Sequence, residues 1–264
     1  MAIQLGIVGG GVMGEAILSC LLAQAIYAPE QVYVTDPQLD RRNYLASKYG
    51  VQVSANNAIA CEADVILLAV KPQALTAATV GLASTPVSLV ISILAGVTLE
   101  TLESIFVDKA VIRAMPNTPA QVGAGVTAIA PGKSVTQAHI DTARRIFASV
   151  GEVVELPESL LNAVTGLSGS GPAYVALVVE ALSDGGVAAG LPRAIATKLA
   201  IQTVLGTAQL LHQTGLHPAQ LKDRVTSPGG TTIAGIAQLE RSGVRSGLID
   251  AVIAATQRAQ ELGS

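Results

Sequence analysis

Residues 220–235 read Gln-Leu-Lys-Asp-Arg-Val-Thr-Ser-Pro-Gly-Gly-Thr-Thr-Ile-Ala-Gly, a turn that gathers hydroxyls, two adjacent glycines and a proline between apolar helical stretches. Successive backbone N–H groups at a glycine-rich helix start bind a carboxylate or phosphate without a charged side chain. Thr232 adds one hydroxyl able to donate or accept a hydrogen bond. A small anionic ligand is the chemistry this turn suggests; the plain alternative is that Thr232 caps the helix that follows. A second chemical feature lies at the other end of the chain, where apolar residues 3–8 lead into Gly9-Gly10-Gly11-Val12-Met13-Gly14 and a helical pattern. Glycines 9, 11 and 14 fit the G-x-G-x-x-G spacing that lets a backbone turn tightly against a pyrophosphate. Asp36 closes a second short strand, 32–35, and stands 22 positions after Gly14. That is close to the roughly 20 residues expected for an acidic group on the adenosine ribose. Dinucleotide binding is the reading of this half; the alternative is a turn that only shapes the sheet edge.

The elements that must position these groups follow from periodicity. Strand signals at 3–8, 32–35, 51–53, 65–70, 88–94, 110–114, 126–130 and 152–156 alternate with helical segments, one of them 137–149. This predicts an α/β Rossmann domain over 1–156, doubly wound on a mainly parallel sheet. From residue 158 onward, apolar positions recur every three or four residues, which predicts an all-α domain over 157–264. Ser170-Gly171-Pro172 opens a long helix, Gly190-Leu191-Pro192 separates it from a second that runs to Thr214-Gly215, and helices at 218–225, 232–242 and 244–261 follow.

Composition narrows the classes. Half of the 264 residues are hydrophobic and 13% are charged, which points to apolar surface covered by another subunit. No stretch reads as a membrane span, since 86–99 is too short and the helix after Pro172 contains Glu180 and Asp184. No Lys or Arg precedes Arg41 and Glu15 interrupts the first apolar run, so the N-terminus does not read as a signal peptide and a cytoplasmic protein is expected. A net charge of -3, no Trp, two Phe and five Tyr give no basic stripe or stacking surface for nucleic acid. Cys20 and Cys61 are expected to be buried small hydrophobes, and His139, His212 and His217 lack ligand spacing, so no metal site is expected.

Six blocks taken together resemble the pyrroline-5-carboxylate reductase family over essentially the whole chain. They are the 9–14 glycine motif with Met13; Ala69-Val70-Lys71-Pro72; Met115-Pro116-Asn117-Thr118-Pro119; the glycine- and serine-rich 166–174; Asp184-Gly185-Gly186-Val187 through Gly190-Leu191-Pro192; and Ser227-Pro228-Gly229-Gly230-Thr231-Thr232. The resemblance implies a Rossmann domain joined to an all-α dimerisation domain, helices of two chains interleaved into a homodimer, and larger rings in some members. It further implies an active site between the nucleotide domain of one subunit and the helical domain of its partner, and reduction of 1-pyrroline-5-carboxylate to L-proline, the last step of proline biosynthesis.

By its match to the family motif, Thr232 is assigned the hydrogen bond to the ring nitrogen, while Ser227, Gly229, Gly230 and Thr231 hold the substrate carboxylate. Val8, Gly9, Gly10, Gly11, Val12 and Met13 are expected to wrap the pyrophosphate, with Gly14 packing the helix and Asp36 on the ribose. Asn56 corresponds to the family's nucleotide-contacting asparagine, although a helix cap is an equal local reading. Ala69, Val70, Lys71 and Pro72 after one strand, and Ile93, Leu94 and Ala95 after the next, are expected to line the nicotinamide half, with Lys71 either a charge partner or a solvated loop lysine. Asp36 departs from members with small hydroxylated residues there and would repel a 2′-phosphate, while Arg41 and Arg42 offset it, so both NADPH and NADH are expected cofactors.

Two other functions fit part of the pattern. A β-hydroxyacid or 6-phosphogluconate type of dehydrogenase also joins these two domain types but needs a lysine on the first long helix of the second domain. Residues 172–189 contain none, and Lys198 lies on the next helix. A non-catalytic dinucleotide sensor would leave the hydroxyl-rich turn at 227–232 without a purpose.

Overall fold

The computed structural model describes residues 3–82 and 87–263, without the side chain of Cys61. Eight strands, β1 Leu5–Val8, β2 Val32–Thr35, β3 Gln52–Ser54, β4 Val65–Leu68, β5 Leu89–Ser92, β6 Ala110–Met115, β7 Gly125–Pro131 and β8 Gly151–Glu155, form one sheet in the order β3-β2-β1-β4-β5-β6-β7-β8. The first six run parallel, β7 is antiparallel to β6, and β8 is parallel to β7. The reversal has a local cause. Residues 116–124 join β6 to β7 through one short 3₁₀ turn, Thr118–Val122, too little chain for the dozen or more residues a parallel crossover needs.

The helices are α1 Val12–Ala23, α2 Leu39–Tyr49, α3 Leu75–Thr79, α4 Leu99–Ile105, α5 Gln137–Ala148, α6 Leu161–Val164, α7 Gly171–Ala188, α8 Arg193–Thr214, α9 Pro218–Arg224, α10 Thr231–Arg241 and α11 Val244–Leu262. Because side chains alternate across a strand, each apolar strand feeds two cores. Leu5, Ile7, Val65, Leu67, Leu89, Ile91, Ala110 and Ile112 join Ile17, Leu18, Leu21 and Phe147 on one face. Val8, Ile66, Leu68, Val90 and Val111 join Leu102 and Phe106 on the other. This two-sided burial is why the runs of β1, β4 and β5 are apolar at nearly every position rather than alternating with polar residues. β1 lies between β2 and β4, so the strand order changes direction there and opens a crevice at the carboxyl ends of the strands.

By compactness the chain forms two units, 1–170 with 254–264, and 171–253. This cut falls later than the change of pattern at 156/157. Leu161 of α6 is buried in the second sheet core, and the carbonyl of Ser168, in the π-helical turn Thr165–Gly169, accepts a hydrogen bond from Asn117. In the second unit α7 and α8 approach closely where Gly186 faces Ala196, at a spacing an added Cβ would fill at 3.0 Å. Along its 18 residues α7 buries Ser183, and along its 22 residues α8 buries Ala196 and Ala200. Leu177, Leu199, Ile201 and Leu205 stand about half exposed. One helix among the described residues, α8, is long and apolar enough to cross a membrane by length and composition, a candidate passed over in reading the sequence.

Candidate functional site

The glycine turn is built by close approach. Gly9, just after β1, has φ +105, a conformation side chains rarely adopt, and a Cβ there would lie 2.7 Å from the carbonyl oxygen of Ala69 after β4. A Cβ on Gly14 would run into the carbonyl oxygen of Gly9, so only glycine lets α1 sit on the turn. Gly11, by contrast, faces open space within 4 Å. It is the N-cap of α1, no side chain caps it, and Val12 behind it is exposed. Uncapped N–H groups beside an open glycine fit an anionic pyrophosphate.

Asp36 follows β2, half-buried. Its Oδ2 accepts from the N–H of Gly10 at 3.1 Å and its Oδ1 from that of Gln38 at 2.9 Å, which fixes the carboxylate beside the glycine turn. Arg42 donates from Nη1 to the carbonyls of Asp36 and Pro37 at 2.8 and 2.9 Å. Asn56 caps the 3₁₀ turn Asn57–Glu62 by accepting from the N–H of Ala58 at 3.0 Å, so any nucleotide contact would fall to its Nδ2.

A polar cluster flanks the turn. Arg41 donates to the carbonyl of Gly10 and pairs with Glu15 in α1. Tyr49, Tyr44 and Lys48 of α2 also reach the Glu15 carboxylate, at 2.7, 3.0 and 3.0 Å. Burial pushes the Glu15 carboxyl up, but the hydrogen bonds from Tyr49, Arg41, Lys48 and Tyr44 outweigh it and hold the group at about 2. The Tyr44 hydroxyl, with Tyr49 and Glu15, raises the Lys48 ammonium. Burial and the Glu15 carboxylate raise the Tyr49 hydroxyl. Glu15, Arg41, Lys48 and Tyr49, with Gly11, Val12, Ser19 and Gln121, line a cleft of about 730 Å³.

A second cleft of about 270 Å³ opens at the strand ends, lined by Met13, Ala69, Val70, Ile93, Met115, Pro116, Asn117, Thr118 and Gly169. Four of the expected cofactor residues meet here. Lys71 and Pro72 are exposed outside this lining, Ala95 is exposed, and Leu94 is 2% exposed in the core, which leaves its backbone alone to face a ligand. The sequence reading assigned no role to Asn117, yet both ends of its side chain are used. Nδ2 donates to the carbonyl of Ser168 at 3.1 Å and Oδ1 accepts from the N–H of Val126 at 2.9 Å. The signal was legible in the Pro-Asn-Thr-Pro block directly after a strand.

The Ser227–Thr232 turn belongs to the second unit. Gly229 takes φ +66, the Gly230 N–H donates to the Ser227 carbonyl at 3.1 Å, and a Cβ on Gly230 would strike Ser227 Oγ. Gly230, not Thr232, is the N-cap of α10, and no side chain caps the helix. Thr232 therefore sits within the first turn, half-buried beside exposed Thr231, with its hydroxyl not spent on a cap bond. Ser227 and Gly229 are exposed. Among the described residues no group of three or more His, Cys, Asp or Glu could hold a metal ion. Cys20 is half-buried against the first core, and the Cys61 side chain lies outside the described set.

Residues 158–262 match the model of the pyrroline-5-carboxylate reductase dimerisation domain, and residues 4–96 that of NADP oxidoreductase, coenzyme F420-dependent. A pyrroline-5-carboxylate reductase of Synechocystis sp. is 61% identical over 100% of this chain and 99% of its own length. The solved structure of a pyrroline-5-carboxylate reductase from Coxiella burnetii superposes with TM-score 0.92 at 36% identity, covering 100% of both chains. The pyrroline carboxylate reductase of Plasmodium falciparum, solved with NADP bound, gives TM-score 0.88 at 30% identity over 99% of this chain and 98% of its own. With a sheet, a glycine turn and a helical unit of this kind, and with likeness along its whole length, the chain belongs to the pyrroline-5-carboxylate reductase family.

Proposed function

We propose that this protein reduces 1-pyrroline-5-carboxylate to L-proline with NAD(P)H, the last step of proline biosynthesis. The observation that carries the reading is 61% identity along the whole chain to a reductase of that name, on a chain whose glycine turn and strand-end cleft fit a nicotinamide dinucleotide. When bound, the reduced nicotinamide supplies the hydride. The protonated ring nitrogen makes the imine carbon electrophilic, so hydride addition there leaves a neutral amine, and the chain's task is to bind and align. This suits a site with no histidine or carboxylate pair among its assigned groups.

In this proposal Gly9, Gly10, Gly11 and the α1 N-terminus hold the pyrophosphate, Asp36 the adenosine ribose, and Met13, Ala69, Val70 and Ile93 the nicotinamide end. Ser227, Gly229, Gly230 and Thr231 hold the substrate carboxylate, and the Thr232 hydroxyl keeps a hydrogen bond to the ring nitrogen as it becomes an amine. Residues 157–264 form the dimerisation module, and the exposed apolar residues of α7 and α8 support a homodimer in which this turn serves the nucleotide site of the partner subunit. The same reading places the enzyme in the cytoplasm. Following nicotinamide absorbance with pyrroline-5-carboxylate, a linear imine and hydroxyacids tests it. Consumption with the cyclic imine is expected; oxidation of hydroxyacids alone would mark a dehydrogenase, and no reaction with any imine a sensor.

A further inference from the structure

Three cations stand near the adenosine end of the dinucleotide site, and each is committed. Arg42 is tied to the Asp36 and Pro37 carbonyls at 2.8 and 2.9 Å. Arg41 is tied to the Gly10 carbonyl and to Glu15, and Lys48 to Glu15 at 3.0 Å and the Tyr44 hydroxyl at 2.6 Å. The Asp36 carboxylate, anchored on the Gly10 and Gln38 amides, is the acceptor suited to a ribose 2′-hydroxyl and repels a phosphate there. The Arg41 side chain, on the turn beside Asp36, is the group placed to offset that repulsion. We infer that Glu15 sets the cofactor preference of this chain: by pairing with Arg41 it withholds the guanidinium from a 2′-phosphate and favours NADH over NADPH.

Glu15 lies on α1, the first helix after the glycine turn, and its side chain is 19% exposed, so the pair is a fixed part of the cleft wall rather than a passing surface contact. Tyr44 and Tyr49 hydrogen-bond to the same carboxylate and keep it aimed at α2. This rests on the dinucleotide reading above. Isothermal titration of the intact protein with NADH and NADPH, and with adenosine 5′-phosphate and adenosine 2′,5′-bisphosphate for the ribose end alone, measures it without turnover. Wild type is expected to bind NADH more tightly than NADPH. Glu15→Ala is expected to tighten NADPH and the bisphosphate about tenfold, the size of one charge-assisted hydrogen bond, with NADH changed less than about twofold. Glu15→Ala/Arg41→Ala should lose that gain, which separates a freed arginine from a general rise in positive charge. Neither cofactor binding to wild type would sink the dinucleotide reading itself. If both bind, a wild type that prefers NADPH, an unchanged ratio in Glu15→Ala, or a gain that survives loss of Arg41 overturns the assignment to Glu15.

Discussion

At the level of single residues, the proposed function gives the substrate chemistry to the Thr232 hydroxyl and the cofactor preference to the ion cluster around Glu15. Thr232 lies inside the first turn of α10, with Gly230 as the cap, so a side-chain change there removes a hydroxyl without removing the N-cap. Thr232→Ala is expected to lower kcat by about 10- to 100-fold, the worth of one hydrogen bond to a charged group, while cofactor affinity stays within about twofold. Thr232→Ser should restore most of the rate, and an alanine variant with full kcat would remove the threonine from the chemistry. The Glu15 cluster makes a separate statement about acid stability. Its carboxyl sits at about 2, below the ordinary 4.5, so its contribution is complete above about pH 4.5 and is lost as pH falls toward 2. In thermal melts across that range, wild type should lose its advantage over Glu15→Gln as the solution is acidified; a constant difference would mean that the carboxylate is not held as described.

Among the elements, the loop between β6 and β7 joins fold and site. Its nine residues reverse the strand direction, and Asn117 ties the reversed strand through Val126 to the π-helical turn through Ser168. Asn117→Ala leaves the half-buried Val126 N–H and Ser168 carbonyl without this partner, at a cost of about 1 kcal/mol for each hydrogen bond lost. The expected result is a Tm lowered by a few degrees together with a raised KM for NAD(P)H, because the same loop lines the strand-end cleft. A lowered Tm with unchanged KM would confine Asn117 to the fold. The sheet itself was readable beforehand. All eight expected strands form, with ends shifted by at most a few residues; the central ones were legible because burial on both faces demands apolar residues at nearly every position. The antiparallel setting of β7 was not readable from its composition, because Val126 to Ala130 would suit either direction.

At the scale of the whole molecule, the second unit exposes what a core would normally bury. Leu177 is 65% and Leu199 52% exposed, on helices whose only buried residues are small. Full burial of such a side chain is worth about 1.5–3 kcal/mol, and covering the exposed half of each about half of that, which supports the proposed homodimer. Sedimentation should show a dimer or larger assembly, and the Tm should rise with protein concentration. Leu205→Glu on α8 should shift the protein toward monomer and lower reductase activity with it. A monomeric wild type that retains activity would contradict the shared-site proposal.

The sequence by itself determined the glycine turn, the alternation of strands and helices and the change to a helical second half, because each depends on local backbone chemistry or on periodicity that any solvent-facing chain must obey. It also carried the family through motif blocks distributed along the chain. Only the tertiary structure decided which charges cancel. Arg41 and Glu15 are 26 residues apart, and a list of residues shows a cation near Asp36 where the folded chain shows one already paired. It likewise gave Asn117 its two partners, one of them 51 residues away, and set residues 157–170 against the sheet. Long-range pairing is fixed by where helices and loops are packed, and spacing along the chain does not encode it.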